Sequence, residues 1–216
     1  MTKVSIARCS DYELGRVEQA VRQALEPLGG IATFVQPGQR VMLKPNLLAP
    51  VAPERAITTH PLVVEAMVNL VRSVGGEPLI VDSPGGPLHT GVLIQRLFRD
   101  TGMAAVAERT GVMLHTDATG VRVPVPHGIA IKQAELLAVY QDVDVIIGLP
   151  KLKTHGLTTI TGAVKGFFGL VPGMLKSGYH AKMPDVAHFC DMLCDVLACL
   201  KPALCVMDGV VGLEGD

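Results

Sequence analysis

The sequence has 216 residues, of which 49% are hydrophobic and only 18% are charged, with a formal net charge of −1. This composition excludes intrinsic disorder, which requires low hydrophobicity and high net charge. The balanced charge and the lack of tryptophan argue against general binding to nucleic acid or to a membrane surface. The start of the chain shows no secretory leader, and the five cysteines are an odd number, so we expect a cytoplasmic protein with reduced thiols.

Strand and helix patterns alternate through the first half of the chain. In chain order they predict a strand at 3–8, a helix opened by the capping box of Ser10 and Glu13 and closed by glycines 29–30, a strand at 40–43, a helix at 61–75 capped by His60, and a strand at 78–81.

The alternation continues in the second half. It predicts a helix from Thr90 to Phe98, a helix at 103–110, short strands at 112–115 and 121–131, a buried strand at 143–149, a helix opened by Pro184, and a strand at 204–207. This order predicts an α/β fold with a mostly parallel sheet and helices on both faces. We expect one domain over 1–216. Because the chain ends just after a strand and a glycine-rich turn, we also expect C-terminal elements to be missing.

Polar residues follow four of the predicted strands directly. They are Lys44 and Asn46 after the first, Asp82 and Ser83 after the second, Lys151, Lys153, Thr154 and His155 after the third, and Asp208 after the last. Ligands of parallel α/β sheets bind beyond the carboxyl ends of the strands, so these side chains are expected to converge at one edge. An aspartate in such a loop also serves often as a turn former, and that alternative stays open.

One long segment of the chain carries only positive charge. Residues 145–184 contain five lysines, among them Lys165, and two histidines but no aspartate or glutamate, while the remainder carries 14 basic against 20 acidic residues. The segment is also rich in glycine, and glycines 156, 162, 166, 169, 173 and 178 would let backbone N–H groups approach a ligand. The segment predicts an anion site for phosphate or carboxylate; the alternative is a solvated basic loop. It contains no Walker or Rossmann motif.

Each polar residue at the predicted edge can be given a role. The lysines would neutralise the ligand, Asn46 and Thr154 would hydrogen-bond it, and Asp82 and Asp208 would bind a divalent cation or a ligand hydroxyl. His155 follows two lysines whose field favours the neutral imidazole, which makes it a candidate general base, with Lys153 as a second catalytic candidate. Replacing Lys151 and Lys153 together by alanine is expected to spare the fold and abolish anion binding.

Six short motifs occur in a fixed order along the chain. They are Lys44-Pro45-Asn46-Leu47, Thr59-His60-Pro61, Asp82-Ser83-Pro84-Gly85, Lys151-Leu152-Lys153-Thr154-His155, the segment TGAVKGFFG at 161–169, and Asp208-Gly209. Together they resemble the domain of unknown function 362 family over about 40–216. The resemblance implies association with a 4Fe-4S cluster, because many members carry ferredoxin-like cysteine motifs near the carboxyl end. This chain shows no such motif, so its cofactor is unknown. The family is more distantly similar to the amino-terminal fold of lactate racemase.

Three functions follow as alternatives. The first is an α/β domain that binds a small anionic molecule at the strand ends, as a redox-linked enzyme of an iron–sulfur-associated family. The second is a non-catalytic module of a longer iron–sulfur protein, and the third is a divalent-metal-dependent enzyme. We expect no nucleic-acid or membrane partner, an oligomer is compatible with the sequence, and whether the chain is an enzyme stays open.

Overall fold

The computed structural model describes residues 3–85 and 91–215. The strands are β1 (Arg40–Pro45), β2 (Glu77–Ile80), β3 (Met113–Leu114), β4 (Gly120–Pro124), β5 (Gln133–Leu137), β6 (Val145–Leu149), β7 (Lys151–His155), β8 (Thr159–Ile160), β9 (Leu204–Cys205) and β10 (Asp208–Leu213). The helices are α1 (Leu14–Leu25), α2 (Pro61–Ser73), α3 (Gly91–Asp100), α4 (Met103–Thr110), α5 (Gly162–Gly166), α6 (Gly173–Lys182) and α7 (Val186–Leu200).

The main sheet has five strands in the order β3-β2-β1-β6-β9, and every neighbouring pair is parallel. A smaller sheet has the order β10-β7-β8, in which β10 and β7 are parallel and β8 is antiparallel, and β4 and β5 form an antiparallel pair. The predicted α/β fold with a mostly parallel sheet is confirmed. Its carboxyl edge brings the ends of β1, β2, β6 and β9 to one side.

Helices cover both faces of the main sheet. On one face, Val41 and Leu43 of β1 pack in a core with α1, α2, α3 and α4. On the other face, Met42 and Ile146 pack with α7 and a short 3-10 helix at 167–170. Side chains alternate between the two faces of a strand, so the run from 41 to 43 needs apolar residues at every position.

The helix starts test the predicted caps. His60 caps α2 as predicted, because its Nδ1 accepts a hydrogen bond from the backbone N–H of Leu62 at 3.3 Å. The capping residue of α1 was predicted wrongly. The helix begins at Leu14, so Glu13 is the cap and accepts from Gly15, whereas the Ser10 hydroxyl donates to Asp11.

Two predicted strands differ in the structure. Residues 3–8 form no regular element and pair with no strand of the described chain, and Ile6 is 94% exposed. Their β-forming composition was therefore misleading, since a strand also requires a partner. The strand predicted at 121–131 ends at Pro124, and a loop leads into β5. Thr90, predicted to begin α3, lies outside the described residues.

The segment after the buried strand β6, for which the sequence analysis predicted no strand, forms one in the structure. The chain passes through Pro150 directly into β7, which leaves the main sheet and joins the smaller one. Lys151 and Lys153 are buried on one face of β7, and Leu152 and Thr154 are exposed on the other. Within 3–85 and 91–215, no helix is both long enough and apolar enough to cross a membrane.

Candidate functional site

The ends of β1 and β2 are joined by a buried ion pair. Lys44 Nζ lies 2.6 Å from Asp82 Oδ1, and the two side chains are only 2% and 4% exposed. The same carboxylate accepts hydrogen bonds from the backbone N–H of Leu47 at 2.6 Å and of Ser83 at 2.8 Å. Asp82 is therefore fully engaged by the protein itself.

A second buried ion pair joins β7 and β10. Lys151 Nζ lies 2.9 Å from Asp208 Oδ2, and the two side chains are 1% and 0% exposed. Asp208 also accepts from the Tyr12 hydroxyl at 2.7 Å and from the backbone N–H of His60 at 2.9 Å. Lys151 donates a further hydrogen bond to the Tyr12 oxygen at 2.8 Å.

Tyr12 belongs to this site, although the sequence analysis did not include it. It precedes α1, and its ring stacks on the His60 ring with centroids 3.7 Å apart and planes 8° apart. Burial and the hydrogen bond to Asp208 raise the pKa of the phenol above its ordinary value. The phenol therefore stays protonated and donates to Asp208. No local pattern around residue 12 could have revealed a contact that spans 196 positions.

Close backbone packing positions the Lys44–Asp82 pair. The carbonyl of Gly169 accepts from Ser83 N–H at 2.9 Å, which brings residue 169 against the pair. A Cβ at Gly169 would lie 2.5 Å from Asp82 Oδ1 and would also collide with Lys44 Nζ. Glycine is the residue that permits this approach. Ser83 is bound on its other side, where its hydroxyl accepts from Gly173 N–H at 2.9 Å.

Asn46 lies in the turn after β1. Its backbone N–H donates to the Thr59 hydroxyl at 2.8 Å, and that hydroxyl donates to the carbonyl of Leu149 at 2.6 Å. The side-chain oxygen Oδ1 of Asn46 is buried and has no hydrogen-bond partner among the described residues. Asn46 therefore brings one unused acceptor to the edge of the sheet.

Three further lysines surround these pairs, and we call Lys153, Lys165 and Lys176 the lysine cluster. None of them has a carboxylate within ion-pair distance in the part of the chain that the structure describes. Lys153 Nζ donates to the carbonyl of Ile57 at 2.8 Å, and Lys176 Nζ donates to the carbonyl of Ser83. The sequence pattern indicated Lys153 and Lys165 as site residues but missed Lys176.

The lysine cluster is electrostatically strained. Burial, and then the neighbouring ammonium group of Lys165, lower the pKa of Lys153 to about 8, although Asp82 acts in the opposite direction. Burial likewise lowers the pKa of Lys176 to about 7, against the raising effect of Asp82. Burial lowers the pKa of Lys165 as well. An anion bound among these groups would relieve the strain.

His155 is held as a neutral side chain. Burial and the charges of Lys165 and Lys153 lower its pKa to about 4. Its Nδ1 accepts hydrogen bonds from the backbone N–H groups of Leu157 at 3.0 Å and Thr158 at 3.2 Å. The proton of the neutral ring therefore lies on Nε2, so this nitrogen can donate to an anion while Nδ1 is occupied.

The structure thus brings most of the sequence-predicted residues to one edge and leaves one apart. Lys44 with Asp82, and Lys151 with Asp208, form the buried pairs next to the lysine cluster. Thr154 lies on the exposed face of β7, and its hydroxyl donates to the carbonyl of Gly215 at 3.0 Å. Lys44 and Lys151 were predicted to neutralise a ligand, but each neutralises an aspartate of the protein.

The described residues do not fit a metal ion or an iron–sulfur cluster. No three histidine, cysteine, aspartate or glutamate side chains within 3–85 and 91–215 are placed to hold a metal ion. Asp82 and Asp208 are already saturated by protein donors, so coordination would require them to release a buried lysine. The cysteines are free thiols, and Cys194 and Cys205 are exposed.

One cavity near the site is small. A cavity of about 10 Å³ lies beside Asp82 and Ser83 and is lined on its other side by His115 and Asp117. This volume accommodates about one water molecule. A larger groove of about 810 Å³ runs along α1 and residues 29–32, on a different part of the surface, and contains none of the residues of the edge.

Comparisons with known proteins match the chain over most of its length. A family model described as "Domain of unknown function (DUF362)" matches residues 41–216. The chain is 37% identical to the thylakoid-associated protein sll1697 of Synechocystis sp., in an alignment that covers 99% of this chain and 64% of that protein. The chain therefore spans slightly less than two thirds of this relative's length. No solved structure shows a significant match.

Proposed function

The chain belongs to the domain of unknown function 362 family, and for this member we propose that the carboxyl edge of the main sheet binds a small anion that carries a phosphate or carboxylate group. The lysine cluster would provide the charge, and His155 Nε2 would donate a hydrogen bond. The observation that carries this proposal is the excess of positive charge at the edge, where Lys153 is buried and Lys165 and Lys176 are half-buried.

The balance of charges at the edge supports an anionic ligand. Asp82 and Asp208 are each neutralised by their own buried lysine, so neither compensates the lysine cluster fully. Buried charges are normally paired, because an unpaired ammonium group loses its hydration without replacement. A bound phosphate or carboxylate would supply the missing partner through charge-assisted hydrogen bonds.

Unused hydrogen-bonding groups next to Lys153 also support it. Thr58 is completely buried and Thr161 is 3% exposed, and neither hydroxyl has a partner among the described residues. Thr58 follows Ile57, whose carbonyl binds Lys153 Nζ, and Thr161 N–H donates to the Lys153 carbonyl at 2.9 Å. Hydroxyl groups in this position can donate to an anion held by the lysine.

The divalent-metal-dependent enzyme receives no support from the described residues, which do not fit a divalent ion. The described residues do not test a module of a longer iron–sulfur protein, because the cluster would be held elsewhere in that protein. The cytoplasmic location expected from the sequence remains a prediction. The name of the Synechocystis relative associates that protein with a thylakoid. Fractionation of cells that express the tagged full-length protein would decide between a cytoplasmic and a membrane-associated location.

Replacing Lys165 tests the anion site without disturbing a buried ion pair. We expect Lys165→Ala to weaken binding of inorganic phosphate about tenfold or more, because one charge-assisted hydrogen bond contributes roughly 1.5–3 kcal/mol. The matched control is Lys182→Ala, which removes an exposed lysine from the end of α6. Isothermal titration calorimetry with phosphate and with acetate measures both affinities and shows which class of anion is preferred.

Equal phosphate affinity in the wild type and in Lys165→Ala would contradict the proposal, and so would the lack of binding of either anion to the wild type. A loss shared by Lys182→Ala would indicate general attraction to a basic surface rather than a site.

A further inference from the structure

We propose that Lys153 is a nucleophile that forms an imine with a small carbonyl compound carrying a phosphate or carboxylate group. This inference rests on the proposed anion site and adds a reaction to it. The anionic group would bind to Lys165, and the carbonyl carbon would lie next to Lys153 Nζ.

The position of Lys153 fits a reactive amine. The residue lies on β7, directly after the buried strand β6, and is 6% exposed. Its Nζ has one hydrogen-bond partner, the carbonyl of Ile57, and no carboxylate within ion-pair distance in the described chain. A lysine of this kind differs from Lys151 two residues earlier, whose ammonium group is locked between Asp208 and Tyr12.

The charges around Lys153 favour the neutral amine. The groups that act on it are Lys165 and Lys151, which oppose its protonation, and Asp82, which supports it. Burial is the largest cause, and together these effects lower the pKa of Lys153 to about 8. A desolvated lysine beside other cations is a known way to activate an amine for attack on a carbonyl group.

Two threonine hydroxyls, one beside the Lys153 backbone and one next to Ile57 in the sequence, are candidates to assist the addition. Attack on a carbonyl turns its oxygen into a hydroxyl group, which must be hydrogen-bonded in a buried site. The Thr58 and Thr161 hydroxyls are buried, unpartnered in the described chain, and adjacent to the segments that Lys153 contacts. They can donate to the carbonyl oxygen and accept from the hydroxyl that replaces it.

The reaction balances without an oxidant or a reductant. The nitrogen lone pair of the neutral amine forms a bond to the carbonyl carbon, and the π electrons move to oxygen, which takes up a proton. The resulting carbinolamine then loses this hydroxyl together with the remaining N–H proton as water. The product is an imine between Nζ and the former carbonyl carbon.

Pyridoxal 5′-phosphate is a suitable probe because it combines an aldehyde with a phosphate group. The full-length protein would be treated with the probe at pH 8, reduced with borohydride to fix the imine as a secondary amine, and mapped by peptide mass spectrometry. We expect the adduct at Lys153 to form at least tenfold faster than at exposed Lys182 and Lys201 in the same sample, and inorganic phosphate to suppress it. Pyridoxal, which lacks the phosphate, should label Lys153 at least tenfold more slowly.

Lys153→Arg serves as the matched variant, because it keeps the charge and removes the nucleophile. It should form no adduct at position 153, while exposed Lys182 and Lys201 should be labelled at the wild-type rate. If phosphate binds but Lys153 is labelled no faster than Lys182, the imine inference is wrong and the anion site stands. If phosphate does not bind at all, the proposed function fails first. Because the labelling is mapped on wild-type protein, the result does not depend on whether the variant folds.

Discussion

Lysines at the carboxyl edge of the sheet fall into two groups that the sequence does not distinguish. Lys44 and Lys151 each form an ion pair with a buried aspartate, whereas the lysines of the lysine cluster have no carboxylate partner in the described chain. The expectation that replacing Lys151 and Lys153 together by alanine would spare the fold therefore needs correction, because of Lys151. Its removal would leave Asp208 buried without a counter-charge, a change that typically costs about 3–5 kcal/mol.

The lowered pKa values of the lysine cluster predict a pH dependence of anion binding. Lys176 and Lys153 lose their protons as the pH rises through about 7 and about 8, so each contributes charge below these values and little above them. We expect sulfate affinity to fall about tenfold or more between pH 6 and pH 9. Sulfate is the appropriate probe for calorimetry because its own charge stays constant over this range.

Lys176→Arg provides the comparison, since arginine remains protonated throughout. Its sulfate affinity should depend less on pH than that of the wild type. A wild-type affinity that does not change from pH 6 to pH 9 would mean that the cluster is not the binding group.

The charges of the site could be predicted from the sequence, but their partners could not. The absence of acidic residues over 145–184 indicated the excess of positive charge correctly. Which lysine meets which aspartate depends on strand order, because Asp82 and Lys44 come from neighbouring strands that are far apart in the sequence. Tyr12 and Lys176 were missed for the same reason.

Among the secondary-structure elements, strands made of apolar residues could be predicted from the sequence, whereas strands that mix polar and apolar residues could not. β1, β2 and β6 lie in the interior of the main sheet and carry apolar residues on both faces, so the sequence predicted them. β7 buries two lysines where a strand normally buries apolar side chains, so its alternation resembled a polar loop. The strand predicted at 3–8 shows the opposite error. Its composition is typical of a strand, but no neighbouring strand of the described chain pairs with it.

The loop at 129–131 is held by a single carboxylate, so we expect an isosteric replacement of that side chain to lower the stability of the protein. Asp195 of α7 accepts hydrogen bonds from the backbone N–H groups of residues 129, 130 and 131 at 2.7–2.9 Å. Although burial opposes ionisation, these bonds hold the pKa of Asp195 below its ordinary value. We expect Asp195→Asn to lower the free energy of unfolding by about 1–3 kcal/mol in urea denaturation. Only the oxygen of an amide accepts hydrogen bonds, so the amide NH2 group would face at least one backbone N–H donor without a partner for it.

Asp191→Asn is the control on the same helix, where the side chain has no hydrogen-bond partner in the described ranges. It should change stability by less than about 0.5 kcal/mol. Similar losses in both variants would mean that helix charge, rather than the loop contact, determines the stability.

At the scale of the whole molecule, the parallel topology accounts for the site. Four strand ends reach the same edge because every pair in the main sheet is parallel, and this is why a sequence-based prediction of convergence was feasible. The main sheet has a hydrophobic core on each of its faces. That residues 1–216 form one domain remains a prediction.

Tyr12 connects the beginning of the chain to its far end, and removing its hydroxyl tests this connection. Tyr12→Phe keeps the ring on His60 but withdraws the donor to Asp208 and the acceptor for Lys151. We expect a loss of about 1–3 kcal/mol in the free energy of unfolding, since a buried carboxylate loses a hydrogen bond. Tyr140→Phe, whose hydroxyl has no partner in the described residues, should be close to neutral. An unchanged stability of Tyr12→Phe would show that the network contributes nothing to the fold.

The packing of helix α1 limits where the chain can be shortened. The family match starts at residue 41, yet Val17, Val21 and Leu25 of α1 are buried in the core beneath β1. A chain trimmed to the matched residues would lack α1, so the apolar core surface that α1 covers would be exposed to water. Asp208 would also lose its hydrogen bond from the Tyr12 phenol. The stretch of sequence that the family model matches is therefore shorter than the stretch that must fold together.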